Sequence, residues 1–361
     1  MPLSAAADGI DSNSDSRIPG DIVIPGSAEL ATMVDRGPRD AIVRYGPLVC
    51  LAAFVVAMLW VRLQPVDHVF TDSTVVFSGT DAWYHERMTQ YAVDSFPRTT
   101  PFDPWSNFPF GTGRHSAFGG LFDQLVALIA FVIGLGSPSD RLVAAFLAVA
   151  PAVFGALTAI PTYLIVKQLT DRWGGIAAVA VLALIGGGFL HRTLVGAADH
   201  QSAEPLFATV AIAGFALAIT TAYQEGGSID ELRERRWTRF RLTAITGVLS
   251  GVSLAAYLLL WPPGVLLVAP FAAFVAVQFA REHIAGRSLV PLLVVSVLTG
   301  ITAGLLTLLY ARTTTLEATA YSLLQPVVAF GFAVGAPVLF LVSRWSERKG
   351  YDRRYYPPAV L

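Results

Sequence analysis

Charge is the scarcest commodity in this chain. Only 14% of its 361 residues are charged, where ordinary soluble domains carry about 25%. Cysteine is nearly absent: Cys50 stands alone inside the first apolar run, which excludes a disulfide framework and a cysteine-built metal site. A net charge of −1 leaves no electrostatic footprint for nucleic acid. No Ser-His-Asp constellation, phosphate-cradling glycine loop or thiol nucleophile is present. Gly186-Gly187-Gly188 falls inside an apolar run and reads as a site of helix packing or bending.

What the chain does have is apolar length. Of its residues 54% are hydrophobic, mean hydropathy is +0.58, and apolar runs of roughly 17 to 25 residues recur, each long enough to cross a bilayer as a helix. The expected fold class is therefore an all-α polytopic membrane protein of about eight transmembrane helices: Pro47–Leu63, Leu142–Val166, Gly174–Leu190, Pro205–Ala222, Leu242–Leu260, Pro263–Ala280, Leu289–Ala311 and Pro326–Val342. Before them, residues 1–44 read as a disordered cytoplasmic tail, since Met1 to Asp40 are rich in Ser, Ala, Gly, Pro and Asp without an apolar period. The first apolar run begins too late for a cleaved signal peptide and is read as a retained anchor.

Charge placement fixes the expected topology. Leu121–Leu135 is ambiguous, because Asp123 and Gln124 shorten its apolar part to Leu125–Leu135, a length that more often lies at the interface or packs inside the protein. Arg36, Arg39 and Arg44 precede the first span and place the N-terminus in the cytoplasm. If Leu121–Leu135 does not cross, Lys167/Arg172, the Arg233–Arg241 cluster, Arg281/Arg287 and the group from Arg344 to Arg354 all fall inside. If it crosses, the Arg233–Arg241 cluster faces outward against the positive-inside rule. The expected organisation is thus a transmembrane domain over 45–343 with a large external loop (64–141), then a cytoplasmic segment over 344–361.

That topology puts two polar clusters on one face. Gly79-Thr80-Asp81-Ala82-Trp83-Tyr84-His85-Glu86 lies in the large loop and Ala198-Asp199-His200-Gln201 in a short one. Between Gln64 and Asp140 the large loop carries eight acidic residues against Arg87, Arg98 and Arg114, a surface that favours a bound cation. Asp81 and Asp199 with a neighbouring ligand suit a hard or borderline divalent ion, Mg²⁺ or Mn²⁺. The plainer readings are that Asp81 caps the helix beginning at Ala82 and that the Asp199 loop, with His191, Arg192 and Glu204, is a solvated membrane-surface turn. A transporter would place ionisable groups near the midplane within broken helices; these spans are almost free of charge.

The ordered set Gly79-Thr80-Asp81-Ala82-Trp83-Tyr84-His85, Phe108-Pro109-Phe110-Gly111, Gly120-Leu121-Phe122-Asp123 and Arg192-Thr193-Leu194-Val195-Gly196-Ala197-Ala198-Asp199-His200 resembles the catalytic subunit of oligosaccharyltransferase, in its archaeal single-subunit form. The resemblance covers roughly Pro47 to the C-terminus. It implies a glycosyltransferase of GT-C-type architecture that moves a glycan from a lipid-linked (dolichol) phosphate or pyrophosphate donor to the Asn of an Asn-X-Ser/Thr sequon. It also implies membrane-hugging helices in the first external loop. For single residues it implies catalytic roles for Asp81 and Asp199, with Asp81, Asp199 and Gln201 as metal ligands. His115, Arg192 and His200 are implied contacts for the donor phosphate.

Three departures qualify that expectation. Gln201 stands where the family normally has Asp, Glu or His, so this ligand brings a carbonyl oxygen but no charge; Glu204 is a possible substitute. The third acidic residue of the family has only Glu317, in Thr314-Thr315-Leu316-Glu317, as a counterpart, with the wrong spacing. No Trp-Trp-Asp-Tyr-Gly motif of the family's soluble C-terminal domain occurs, so the chain reads as truncated before that domain. The expected partners are the lipid-linked donor, a sequon-bearing polypeptide and membrane lipids. The alternatives are another lipid-phosphate-dependent membrane glycosyltransferase or an inactive fragment.

Overall fold

The computed structural model describes residues 38–113, 120–228, 230–231, 234 and 237–360. Of the tail expected to be disordered (1–44), residues 1–37 lie outside them, as do His115 and most of the Arg233–Arg241 cluster, whereas residues 38–44 are helical and belong to the first helix, which begins at Pro38. Contacts divide the chain into two units, Met1–Gly46 and Pro47–Leu361; apart from the first residues of the first helix, the second carries everything that follows.

Among the described residues, seven segments are long and apolar enough to cross a membrane: Tyr45–Arg62, Asp140–Leu169, Glu204–Glu225, Arg241–Leu260, Pro262–Ala285, Val290–Tyr310 and Leu324–Arg348. The chain is a multi-pass, all-α membrane protein. In chain order the helices are α1 (Pro38–Arg62), the short α2 (Val66–Val69), α3 (Asp81–Asp94), α4 (Gly120–Ile133), α5 (Asp140–Leu157) continued by α6 (Ala159–Leu169), α7 (Arg172–Leu184), α8 (Gly187–Arg192), α9 (Glu204–Glu225), α10 (Arg241–Leu260), α11 (Val268–Ala285), α12 (Val290–Tyr310), α13 (Leu324–Arg348) and α14 (Tyr356–Val360). Two-residue strands β1 (Phe102–Asp103) and β2 (Thr112–Gly113) pair antiparallel, Phe102 opposite Gly113.

One of the eight expected spans, Gly174–Leu190, is interrupted. Helix α7 starts on an N-cap at Asp171, whose side chain accepts from Gly174 N, and stops at Leu184. Gly187 then takes φ +60, a conformation that glycine adopts without steric cost, and α8 resumes for six residues. A Cβ at Gly186, Gly187 or Gly188 would meet nothing within 4 Å, so the triplet breaks the helix and does not serve close packing. Together α7 and α8 still return the chain to the end from which α5 set out, because Val195 N donates to Arg62 O at 3.0 Å and Gly196 N to Ala148 O at 2.8 Å.

Helix α4 stays beside the bundle as the shortened apolar segment expected from its length. It buries Phe122, Asp123, Val126, Ala127 and Ala130 and leaves Leu128, Ile129, Val132 and Ile133 exposed, a one-sided apolar face suited to the membrane boundary. The loop between α12 and α13 pins its start: Tyr321 Oη accepts from Gly120 N at 3.0 Å and donates to Leu259 O at 2.8 Å. The basic connections Lys167–Arg172, Arg281–Arg287 and Arg344–Arg354 all lie at the opposite end of the bundle, by the alternation of the spans.

Candidate active site

Two short stretches meet at the end of the bundle. Helix α3 begins at Asp81 with Thr80 before it, and no side chain caps it; the capping role weighed for Asp81 is not taken up. Its carboxylate is exposed and lines a cavity of about 790 Å³ together with Tyr84, His85, His200, Gln201 and Trp261. One helical turn beyond Asp81, His85 is buried to 1% exposure.

The second stretch is held by backbone. Gly196 (φ +86) donates to Ala148 O and accepts from Ser78 N, and a Cβ there would sit 2.7 Å from Val69. Arg62, 2% exposed, reaches across to Thr193: its Nε donates to Thr193 Oγ1 at 2.9 Å and its Nη1 to Met58 O at 3.0 Å. Asp199 then caps a 3-10 turn, accepting from Gln201 N.

The imidazoles join the two stretches. His85 Nδ1 lies 2.7 Å from Asp123 Oδ1, and His85 Nε2 lies 3.1 Å from His200 Nδ1 and 3.5 Å from Asp199 Oδ1. His200 Nδ1 is 2.7 Å from the same Asp199 oxygen. Burial works against the His85 charge, yet Asp123 and Asp199 raise its pKa to about 9. Asp199 resists its own burial and is held far below the usual carboxylate range by its hydrogen bonds with His200 and His85. Burial raises the pKa of Asp123, with His85 opposing.

A loop forms the outer wall of the cavity. Ser106, Asn107 and Gly111 to Gly113 line it, organised by Asp103, which is 5% exposed. Asp103 accepts from Arg87 Nη2, Ser106 Oγ and Trp105 N. Those donors, Arg87 first, hold its carboxyl below its ordinary value despite burial.

The donor set fits a divalent cation. His85, Asp199 and His200 each offer one ligand atom, all within 4.8 Å of one another, and imidazole with carboxylate suits first-row divalent metals. Glu204 Oε1 is buried without a hydrogen-bond partner, 3.6 Å from His200 Nε2. Arg192, Gln201 and Glu204 line an adjoining cavity of about 260 Å³, so Gln201 faces both spaces. Glu317 is exposed, its backbone tied to Ser322, and does not line the main cavity. His85 and Asp123 carried no assigned role in the sequence. Their signals were the i, i+4 spacing of His85 from Asp81 and the lone carboxylate at the head of an apolar helix.

Residues 50–343 match the family model described as oligosaccharyl transferase STT3, N-terminal. The chain belongs to this family. It is 43% identical over 310 residues to a dolichyl-monophosphooligosaccharide–protein glycotransferase, AglB, of Haloferax volcanii, a match covering 86% of this chain and 29% of the relative. To a dolichyl-phosphooligosaccharide–protein glycotransferase of Archaeoglobus fulgidus it is 27% identical over 316 residues, covering 85% and 35%. Among solved structures, it resembles Archaeoglobus fulgidus AglB in complex with an inhibitory peptide and a dolichol-phosphate, with a TM-score of 0.77, 27% identity and coverage of 88% and 36%. A second match, an oligosaccharyltransferase of the same organism in complex with Zn and sulfate, has a TM-score of 0.72, 28% identity and coverage of 86% and 38%. The chain thus spans about a third of the length of the curated relatives it matches, and its fold is that of the GT-C oligosaccharyltransferases.

Proposed function

We propose that this chain carries the membrane-embedded catalytic centre of an N-glycosylating oligosaccharyltransferase. The reaction moves a glycan from a dolichol-linked phosphate to the side-chain amide of Asn in an Asn-X-Ser/Thr sequon. The observation that carries the reading is the junction at one cavity of Asp81, at the head of α3, with the Asp199–His200 turn. These are residues more than a hundred positions apart.

In that reading the amide nitrogen of the acceptor attacks the anomeric carbon of the sugar. The C–O bond to the donor phosphate breaks, the phosphate leaves with the bonding electron pair, and the nitrogen gives up one proton to the Asp81 carboxylate or to the departing phosphate. The nitrogen is a poor nucleophile because its lone pair is delocalised into the carbonyl. Asp81, which lines the cavity, accepts hydrogen bonds from its N–H groups, orients it and weakens that delocalisation. Arg192 and His200 would face the departing phosphate, where fixed hydrogen-bond donors stabilise developing charge; His115 is assigned to the same task. Asp199, with Asp81 and Gln201, would hold a divalent cation, Mn²⁺ or Mg²⁺. When bound, that ion would supply Lewis-acid stabilisation of phosphate oxygens. A nearby relative solved with Zn and sulfate and another tethered to an acceptor peptide with an NVT sequon support this assignment.

The same reading places the N-terminus in the cytoplasm and the site on the external face. The basic connections at the bundle's opposite end support that orientation. The test is glycan transfer in native membranes to a fluorescent Asn-X-Thr peptide with lipid extract and Mn²⁺. Metal-dependent transfer that is lost in Asp81→Ala and Asp199→Ala supports the proposal. Transfer insensitive to both substitutions and to chelator refutes it.

A further inference from the structure

The Asp123–His85 pair has no role in the reaction described above, yet it is among the most deeply buried polar contacts in the molecule. His85 is 1% exposed and Asp123 3%. Their 2.7 Å contact joins α3 to α4. Phe122 packs edge-on to the imidazole at 5.2 Å between ring centres, and Tyr84 at 5.1 Å, which fixes the ring's rotamer.

The contact has a directional consequence. A carboxylate accepts, so Nδ1 of His85 carries the hydrogen that Asp123 receives. In the neutral ring Nε2 is then the nitrogen with the free lone pair. It points at the Asp199–His200 junction: His200 N–H lies 3.5 Å away, in donor orientation, with His200 Nδ1 at 3.1 Å and Asp199 Oδ1 at 3.5 Å. A carboxylate behind a histidine, setting its tautomer and aiming its other nitrogen, is the arrangement that supports metal-bound imidazoles.

Metal bonds to nitrogen and oxygen of about 2.1 Å, in a tetrahedral arrangement, place ligand atoms about 3.4 Å apart. Two edges of the His85 Nε2, His200 Nδ1, Asp199 Oδ1 triangle, 3.1 and 3.5 Å, come near that separation; the third, 2.7 Å between His200 Nδ1 and Asp199 Oδ1, is a hydrogen bond that a bound ion would have to open. One side of the triangle opens on the cavity that His85 and His200 line, leaving room for the open position a catalytic metal keeps. Gln201, in contrast, brings no charge.

We infer that His85 is a metal ligand of this chain, acting with Asp199 and His200, and that Asp123 is the residue that positions it. Two imidazoles and a carboxylate make the centre nitrogen-rich, so it selects Mn²⁺, Co²⁺ or Zn²⁺ over Mg²⁺, which prefers oxygen. The inference rests on the geometry of this cluster and stands apart from the transfer reaction.

The experiment uses the full chain in nanodiscs, loaded with Mn²⁺ alone, with neither donor nor acceptor. Pulsed EPR counts the ¹⁴N nuclei bound to the ion, and titration gives the affinity. The wild type is expected to show two imidazole nitrogens, and His85→Ala and His200→Ala one each. Asp123→Asn, which keeps the shape but not the charge, is expected to weaken Mn²⁺ binding by about 10- to 100-fold in the folded protein, and Asp123→Glu to restore part of it. A wild-type count of zero or one nitrogen overturns the ligand assignment without recourse to any variant, and reduces the cluster to a hydrogen-bonded tie between helices. Unaltered affinity in folded Asp123→Asn overturns the positioning role. Because no glycan transfer is read, failure of the proposed activity and failure of this site give different results.

Discussion

The two halves of this molecule are held by opposite means. Around the cavity, charged and polar side chains are taken out of water: His85, Asp103, Asp123 and His200 are all below 9% exposure, and each is paired. In the bundle of α10, α12 and α13 the buried polar side chains, such as Ser250, Ser296 and Thr299, are small and uncharged, and the helices meet through missing side chains. Gly247 and Gly251 on α10, and Gly300 and Gly304 on α12, keep the four-residue spacing that lets backbones approach. A Cβ at Gly251 would lie 2.7 Å from Thr299 O, and one at Gly300 would lie 2.7 Å from Ala329 O. Lipid competes with apolar side chains for contact but not with shape, so the bundle is specified by fit. The cavity region is specified by hydrogen bonds and charge.

If that division is right, function and stability separate by region. The largest effect belongs to Asp81→Ala. Because Asp81 is exposed and caps nothing, glycan transfer is expected to fall by about 100-fold or more, by analogy with loss of one preorganised electrostatic partner. Circular-dichroism melting should stay unchanged; a shift of the melt would mean that the carboxylate also holds the fold. Gly300→Leu should do the reverse. Its added atoms meet the backbone of α13, and overpacking of this kind costs about 1–3 kcal/mol. Thermal unfolding in detergent should drop, while the fraction still folded keeps its Mn²⁺ affinity.

A pH titration sharpens the same contrast. His85 has its pKa raised from 6.5 to about 9 in the folded protein. Its contribution to stability is therefore complete below 6.5 and is lost as pH rises through about 9. Asp199 is shifted the other way: its contribution is present above the ordinary carboxylate value and disappears as pH falls toward its depressed folded value. Metal-free protein should lose melting temperature toward pH 9 because of His85, and His85→Ala should flatten that slope. Gly300→Leu should leave the slope intact. The smallest effect is expected for Glu317→Ala. This side chain is exposed and away from the main cavity, so both melting and transfer should stay within about 0.5 kcal/mol of wild type.

Much of the architecture was legible before any coordinates. Runs of about twenty apolar residues announce their own helices, since a backbone in lipid must satisfy its hydrogen bonds within the segment. Arginine placement separated α4 from the spans because a charged loop has a preferred side. The break after Leu184 was harder to read: hydropathy averages over the glycine triplet, whereas the interruption arises from one positive φ at Gly187. In the site, Asp81, Asp199 and His200 were recognisable by their order and neighbours. Arg192 and Gln201 followed from the same motif, and the structure gives them walls of one small cavity.

His85 and Asp123 show where linear reading stops. A histidine four residues after an aspartate, and an aspartate at the head of an apolar helix, are each compatible with an ordinary helix. The sequence by itself determined the membrane class, seven of the eight expected long apolar segments and the two polar stretches that line the cavity, because these depend on local composition and charge. Only the tertiary structure decided that α4 lays Asp123 against His85, that Arg62 ties down the turn before Asp199, and that both imidazoles converge on one carboxylate. Those are contacts between residues 38, 131 and 115 positions apart, set by how the helices pack and by no property of either partner alone.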